Sequence, residues 1–569
     1  MKLIIDLDNR IKCVNHNRHD LVITDQKINK YKCQTIRMNF SLCDEKEDLS
    51  DSINNLFDNY LPNEFRYLRN TYFMRVFRPI CSLIIQIEEL LEKESITELL
   101  LIGGSPLAFI TLNSGEGEGE KHFYKSSWLF NDFLMQYFNK TIPIRWENKK
   151  NKFIFSLLHI IRENTFFYLK LIKNLASSFI FKNSPLIPNT SINESNIFSF
   201  VQLPLQFKHL KSLTENLNLS NNFFISSFNS IVSKGKKSNI YTYKVSFSST
   251  LRSIKKFKNL KFNIKSQDFI FRFQNKNISL NKNIFIRSLM NNFIFFQINL
   301  TSLMDLFKRV ELKNKAYFFG NMTVGEDVIL VYELSRKLNI PFYNFQAVTM
   351  SKIIFPQMNL AERYFLYSKK THHLYEKFNS SYEFYLPFFQ KKYIYKLKEE
   401  DTVVLTLFTQ PDTYTDRYID FLNLVLPLLS RLKTKVRLNI KLHYREHRIN
   451  EFIEISNQYE FVEIIENLTL VESVIKKSHF ILSMTSSVLY ESIVIGRPGI
   501  IIDFDGQDFN WIYDNDICYP EINFIIKSAN DLFEILNHTN KYSSLYNDRR
   551  DEWLLSNKSF ELKTLVDVS

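Results

Sequence analysis

From Thr402 onward, short apolar runs alternate with mixed polar and apolar stretches. The apolar runs lie at Val403 to Phe408, Val436 to Leu442, Phe461 to Ile465, Phe480 to Met484 and Gly499 to Phe504. Runs of this length and composition, bounded by turn residues, predict buried strands. Between them, Asp416 to Leu432, Asn450 to Gln458, Leu468 to Lys477 and Ser486 to Ile495 read as helices. Strands that alternate with helices predict a parallel, doubly wound sheet, because neighbouring parallel strands require a crossover connection. On such sheets ligands bind outside the carboxyl ends of the strands. The residues that follow each strand are therefore the place to look for chemistry.

The amino-terminal half is less regular. Ile96 to Ile102 predicts a buried strand after a helix from about Phe73 to Glu94, and runs into Gly103-Gly104-Ser105-Pro106. Ala316 to Phe319 and Phe342 to Phe345 predict two more strands around a helix from Glu326 to Leu338. Ala361 to Phe378 reads as a late strand and helix, followed by a linker of mixed charge from Lys391 to Asp401. The span from about 183 to 310 is rich in Ser, Asn and Phe and poor in helical periodicity, so it reads as an irregular insertion. The expected organisation is an α/β domain over 1–390 carrying that insertion, a second α/β domain over 391–545 and a tail over 546–569.

Composition narrows the class. A chain of 569 residues with 45% hydrophobic and 23% charged residues is globular rather than disordered. The 53 Phe and 28 Tyr reflect a compositional bias, which weakens inference from any single aromatic. Between Lys234 and Arg287 fourteen Lys or Arg face one acid, Asp268, and that surplus equals the net charge of +13. Concentrated charge suits an anionic membrane surface or a solvated, lysine-rich face; no nucleic-acid-binding motif accompanies it, so no nucleic-acid partner is expected. The five cysteines form no CxxC pair and no zinc-type spacing, which points to a reducing, cytoplasmic setting, with peripheral contact at the inner face of a membrane through 234–287. The opening MKLIIDLDNRIKC is too short in its apolar run for a signal peptide. Phe166 to Phe181, the longest apolar candidate, is interrupted by Lys170 and Lys173 and does not predict a membrane span.

The strand ends carry a consistent chemistry. Thr409-Gln410-Pro411-Asp412 follows the first strand of the second half, Lys441 to His447 (KLHYREH) ends the second, Thr485-Ser486-Ser487 follows the fourth, and Asp503 and Asp505-Gly506 end the fifth. A helix that begins near Ser486 offers backbone N–H groups and the positive end of its dipole, and hydroxyls add donors, so the stretch reads as an anion site as well as an ordinary N-cap. Ser487 and Glu491 are one turn apart on one face, which places a carboxylate where ribose hydroxyls would donate to it. His443 and Arg445 add donors that offset phosphate charge.

These residues resemble a family. KLHYRE followed by SMTSSVLYESIVIGRPGIIIDFD looks like the carboxyl-terminal half of GT-B glycosyltransferases, nearest to the bacterial surface-polysaccharide enzymes with cytidine-activated donors: sialyltransferase-like and Kdo-type transferases and CDP-glycerol glycerophosphotransferases. The resemblance covers Val403 to Asp505 well, and the first half only in outline. It implies a GT-B-like fold, two Rossmann-like doubly wound domains facing a cleft. It also implies a nucleotide site built from Gln410, His443, Arg445, Thr485, Ser486, Ser487 and Glu491, and no metal or other cofactor beyond the nucleotide-sugar co-substrate. Two departures stand out. The HP dipeptide of the family reads His443-Tyr444 here, and the paired glutamates of many retaining members are reduced to Glu491, with Ser483 eight positions earlier.

In the family an amino-terminal carboxylate deprotonates the acceptor hydroxyl. Glu116 and Glu118, in the acidic loop Asn113 to Glu120, are the candidates here, with His443 as the catalytic group on the donor side. Glu326 and Asp327, which open a helix after the Phe319 strand, are a second place for that base and also suit the helix dipole, while Asp6 and Asp8 in DLDNR read as turn residues. The expected activity is transfer of a sugar, a CMP-linked acidic one, from a nucleotide donor to a cell-surface polysaccharide or lipopolysaccharide acceptor. The alternatives are a CDP-glycerol or ribitol type polyol-phosphate transferase, and a noncatalytic membrane-surface factor in glycan assembly.

Overall fold

A computed structural model of the chain describes residues 1–6, 20–24, 34–37, 66–102, 127–147, 197–201, 222–226, 240–242, 250–255, 269–280, 282–308, 316–321, 326–345, 360–366, 381–384, 402–410, 414–432, 436–443, 446, 448–465, 469–484, 486–504 and 519–556, with single positions in 161–172 and 207–214. The chain divides into two compact units, Met1–Asn344 with Phe355–Glu362, and Phe345–Ile354 with Arg363–Ser569. The fold is mixed α/β, and among the described residues the first and third sheets are built wholly from parallel pairs, with one antiparallel hairpin elsewhere.

The first sheet is built from β1 (Lys2–Asp6), β2 (Leu21–Thr24), β3 (Gln34–Arg37), β4 (Glu98–Ile102) and β5 (Ile144–Glu147), with helices α1 (Arg66–Lys93) and α2 (Ser127–Phe138) between them. Its order is β3-β2-β1-β4-β5, and every pair is parallel. Chain direction across the sheet reverses between β1 and β4, the switch point of a doubly wound sheet. Asp6 closes β1 and is fully buried, in register with Ile102 at the end of β4. It is thus a strand residue, where the sequence suggested a turn; three apolar residues before it hold β1 inside the sheet and carry the acid in with them.

The chain continues through β6 (Ile197–Val201), β7 (Asn222–Ser226), β8 (Ile240–Thr242), the hairpin β9 (Phe269–Phe273) and β10 (Lys276–Leu280), helix α3 (Lys282–Phe307), β11 (Tyr317–Gly320), α4 (Glu326–Leu338), β12 (Phe342–Phe345), β13 (Arg363–Leu366) and β14 (Ser381–Phe384). The second sheet has the order β14-β13-β12-β11-β6-β7-β8. Its strands β6 to β8 lie in the span expected as an irregular insertion, so short segments of 183–310 are part of a sheet, and 1–390 contributes to two sheets. The reason they read as irregular is that β6 is a short strand in a Phe-rich background without the regular strand and helix alternation of the second half. All five residues of β6, IFSFV, are buried, so the strand shows none of the alternation that marks a half-exposed one.

The basic hairpin does alternate. Phe271, Phe273 and Ile278 are buried, while Ile270 and Arg272 face out. Phe271 stacks on Phe77 of α1 with ring centroids 4.2 Å apart and lies 5.9 Å from Phe133 of α2. One apolar core therefore joins the first sheet, α1, α2, the hairpin, α3 and α4, with Phe198, Phe307 and Phe318 in contact within it. No helix among the described residues is long and apolar enough to cross a membrane.

The third sheet lies wholly in the second unit. It is formed by β15 (Val403–Phe408), α5 (Thr415–Leu429), β16 (Val436–Lys441), α6 (Ile449–Ser456), β17 (Val462–Ile465), α7 (Val471–Lys477), β18 (Phe480–Ser483), α8 (Val488–Ile495), β19 (Gly499–Ile502), β20 (Phe524–Ile526), α9 (Ala529–Asn537) and α10 (Thr539–Ser556). The order is β17-β16-β15-β18-β19-β20, all parallel. Every strand and helix expected from the alternation is present, within a few residues. The domain extends further than 545. Tyr546, Arg550 and Trp553 of α10 are buried, spaced three or four apart, so the first part of the expected tail is core.

Candidate functional site

The switch point of the third sheet lies between β15 and β18, and the chemistry-bearing residues flank it. Thr409 and Gln410 leave β15, and Ser483 and Met484 leave β18. One tyrosine joins the two exits. The Tyr418 hydroxyl, carried by α5 and buried, lies 3.2 Å from Ser483 Oγ, donates to Gln410 Oε1 at 3.4 Å and accepts from the Met484 N–H at 3.1 Å. Ser483 Oγ also donates to the Phe408 carbonyl at 2.9 Å. A buried hydroxyl network of this kind holds both loop exits in one geometry, because a polar group left without its partner there costs about 1–3 kcal/mol.

His443 is anchored through its backbone. Its N–H donates to Thr409 Oγ1 at 3.0 Å, and its carbonyl accepts from the Glu446 N–H at 2.9 Å. Glu446 is buried. Its carboxylate accepts from the Thr415 hydroxyl at 2.8 Å and from the Arg448 N–H at 2.9 Å, so it ties the first turn of α5 to the start of α6. Arg448 in turn pairs with Asp416 and Glu451. Its hydrogen bonds to Glu451 raise the Arg448 pKa and hold the Glu451 carboxyl below the ordinary range. His443 and Glu446, which follow β16, are therefore tied to Thr409 and to the first turn of α5.

The turn from β18 into α8 differs in one respect from the sequence expectation. Ser486 Oγ accepts from the Val488 N–H at 3.3 Å, and the carbonyls of Ser486 and Ser487 accept from Leu489, Tyr490 and Glu491 at 3.0–3.1 Å. The first N–H groups of the helix thus have partners inside its tight first turn. Ser487 is the N-cap residue, yet its side chain makes no capping hydrogen bond. Ser486 does the capping, and Ser487 is the residue at the positive end of the helix dipole. Glu491 follows one turn later, its N–H bonded to the Ser487 carbonyl at 3.1 Å, half-buried on the same face.

Helix α8 is also held from its other end. Gly496 takes φ 82°, the left-handed conformation that closes a helix and that side chains disfavour. Arg550 of α10, almost fully buried, donates through Nε to the Ile493 carbonyl at 2.8 Å and lies 3.4 Å from the Val494 carbonyl through Nη2. A cation against the last carbonyls complements the dipole whose other end lies at Ser487. Nearby, burial raises the pKa of the Tyr546 hydroxyl, which stays neutral.

The structure thus brings Gln410, His443, Ser486, Ser487 and Glu491 to the carboxyl edge of one sheet. Glu116, Glu118, Arg445 and Thr485, with Pro411-Asp412 and Asp505-Gly506, lie outside the described residues. Sequence reading passed over Tyr418 and Arg550. Tyr418 looks like one more core aromatic of α5, and Arg550 like one more cation in a polar stretch; only burial reveals either. Among the described residues no group of three or more His, Cys, Asp or Glu is arranged to hold a metal ion.

No family model and no curated protein matches the chain. Solved structures are similar in part. HepE of Anabaena in complex with UDP-glucose matches over 65% of this chain and 98% of its own, at 7% identity and a TM-score of 0.39. A TarM variant of S. aureus, in complex with fondaparinux, alpha-GlcNAc-glycerol and UDP, matches over 66% of this chain and 98% of its own, at 10% identity and a TM-score of 0.41. UDP-GlcNAc 2-epimerase from Neisseria meningitidis bound to UDP-GlcNAc matches over 65% and 98%, at 11% identity and a TM-score of 0.41.

Proposed function

We propose that the chain is a nucleotide-sugar-dependent glycosyltransferase whose donor site is the carboxyl edge of the third sheet. The observation that carries this reading is the convergence of Gln410, His443, Ser487 and Glu491 on the strand ends around the β15/β18 switch point, where doubly wound sheets bind nucleotides. Ser487 and the dipole of α8 meet the phosphate, Glu491 accepts from the ribose hydroxyls, and His443 with Arg445 offsets charge on the leaving group. A carboxylate of the 113–120 loop, Glu116 or Glu118, takes the proton of the acceptor hydroxyl as its oxygen attacks the sugar and the nucleotide departs. Charge on the leaving phosphate is met by protein donors in this reading, so transfer is expected to proceed at an unchanged rate in excess EDTA.

The donor we assign is a CMP-linked acidic sugar, and the acceptor a cell-surface glycan. The exposed Ile270 and Arg272 of the hairpin are suited to an anionic membrane surface that presents such an acceptor.

Calorimetry on the full chain with CMP, CDP, UDP and GDP tests the donor. Cytidine nucleotides are expected to bind most tightly, and a clear preference for UDP or GDP overturns the donor assignment while leaving the site in place. His443→Ala and Ser487→Ala are each expected to weaken binding about tenfold, the scale of one charge-assisted hydrogen bond. Release of CMP with free sugar distinguishes sugar transfer from the alternative in which a CDP donor yields a polyol phosphate. Unchanged glycan output from both variants would leave only the noncatalytic assembly role.

A further inference from the structure

Four of the large apolar side chains that stand exposed among the described residues fall within about three turns of helix. Ile161, Tyr168, Leu169 and Ile172 are 53%, 59%, 60% and 60% exposed. The backbone is helical at 161, 165, 167–169, 171 and 172, and the Thr165 hydroxyl donates to the Ile161 carbonyl at 2.8 Å, one turn back. Positions 161, 165, 168 and 172 follow at intervals of four, three and four, so they share one face, with Leu169 beside them. Another face is anchored. Phe167 and Leu171, four apart, pack against the core of the first unit, and the Phe167 ring lies 5.2 Å from that of Phe295 in α3. The helix is therefore apolar on two sides, one covered by protein and one exposed. Exposed apolar side chains scattered singly are ordinary, but four gathered on one short helix mark an interaction surface.

Composition decides what that surface meets. Between Lys149 and Lys182 the sequence has seven Lys or Arg against one acid, Glu163, and Arg162, Lys170 and Lys173 are interleaved with the exposed residues. Lysine is depleted at the centres of protein–protein interfaces. An amphipathic segment rich in lysine and arginine, with aliphatic and aromatic residues on its apolar face, is instead the composition of a helix that lies in the plane of a membrane surface. The same cations prevent the segment from crossing a bilayer. A second element of this kind is held further along α3. Leu251 is 51% exposed in a short helical segment with the exposed Arg252 and Lys255, while Ile254 packs inward and Arg252 pairs with Asp305 of α3 at 2.7 Å.

We propose that the helical positions 161–172 form a lipid-contacting element, with Ile161, Tyr168, Leu169 and Ile172 entering the headgroup region of an anionic bilayer. Anionic lipid is the partner because the charge surplus of the segment is positive. The assignment does not rest on the nucleotide-site reading. It adds an inserting element to the membrane contact suggested above for Ile270 and Arg272, whose contribution is mainly electrostatic.

Flotation of the full chain with phosphatidylcholine vesicles, with and without phosphatidylglycerol, tests it. Wild-type protein is expected to bind the mixed vesicles more tightly than pure phosphatidylcholine. The double variant Leu169→Gln, Ile172→Gln is expected to lower the partition coefficient on mixed vesicles about tenfold or more, because two aliphatic side chains lose their burial in lipid. Its unfolding midpoint is expected to stay unchanged, since both side chains are exposed in the folded chain. Leu169→Met with Ile172→Met, which keeps the face apolar, retains binding. Wild-type protein that binds neither vesicle, a Gln double variant that binds as tightly as wild type, or a loss seen only in Ile270→Gln with Arg272→Gln overturns the assignment. A wild-type dimer in sedimentation velocity that the Gln double variant returns to monomer overturns it too, and assigns the face to a second copy of the chain.

Discussion

The first and third sheets share a strand order through their first five strands and differ in what stands at the switch point. In the first sheet a buried carboxylate, Asp6, ends the central strand, and Asn131 of α2 reaches over to donate to the carbonyl of Ile102 at 3.3 Å. In the third sheet the same topological place holds neutral hydroxyls, those of Thr409, Tyr418 and Ser483, with Lys441 buried one strand away. Identical winding thus carries different side chains at the switch point, so fold alone does not assign function; the residues at the edge do.

The strongest way to break the contrast is to release α8. Arg550→Ala removes the buried cation from the Ile493 and Val494 carbonyls, the first of which keeps the Gly496 N–H, and opens a void, and is expected to cost about 3 kcal/mol in urea unfolding, with nucleotide affinity lost in parallel. Stability unchanged within about 0.5 kcal/mol would show that the helix is held by packing alone. Gly499→Ala comes next. A Cβ there would meet Asn523 Oδ1 at 2.4 Å and Leu489 Cδ2 at 3.0 Å, while the Gly499 N–H already bonds the same amide oxygen at 3.1 Å. Overpacking of this kind is expected to cost about 2 kcal/mol, read as a lowered melting temperature.

Tyr418→Phe removes the hydroxyl shared by the two strand exits and is expected to cost about 1 kcal/mol of stability, with a larger proportional loss in nucleotide affinity than in stability. Equal small losses in both would reduce the network to a structural brace. Glu451→Gln sharpens the periphery of the site. The Glu451 carboxyl is held below its ordinary range by Arg448, so its contribution is present above about pH 4.3 and fades as pH falls through the depressed value. Both partners are substantially exposed, which limits the difference from Gln to below about 0.5 kcal/mol at neutral pH, closing in acid titrations. The smallest effect is expected at the other edge. Asp6→Asn should leave CDP affinity unchanged, and a gain or loss of more than about threefold, roughly 0.7 kcal/mol, would mean that the two edges are not chemically separate.

Legibility followed the regular alternation of strand and helix rather than burial, since β18 and β19 are wholly buried and were still readable. Strands β15 to β19 and their helices are readable because apolar runs of strand length are separated by amphipathic helices and turn residues such as Gly496 and Pro498. The strands β6 to β8 are hidden because they are short and set in a Phe-rich background in which IFSFV looks like any other apolar segment. Helix α3 was lost with them, and β20, at three residues, is below the length at which alternation can be read. Of the candidate site, Gln410, His443, Ser486, Ser487 and Glu491 were legible from their places after strands. Tyr418 and Arg550 were not, since a core tyrosine and a helical arginine are each common in sequence.

The sequence by itself determined which segments become strands and helices in the carboxyl-terminal half, and which hydroxyls and acids follow them, because periodicity and turn chemistry are local. The tertiary structure alone decided the order of the strands, and with it the switch point between β15 and β18, because that order is set by hydrogen bonds between segments about 75 residues apart. It also decided which polar side chains are buried: Asp6, Lys441 and Arg550 look like ordinary surface residues in sequence, and only the packing of distant segments around them excludes water.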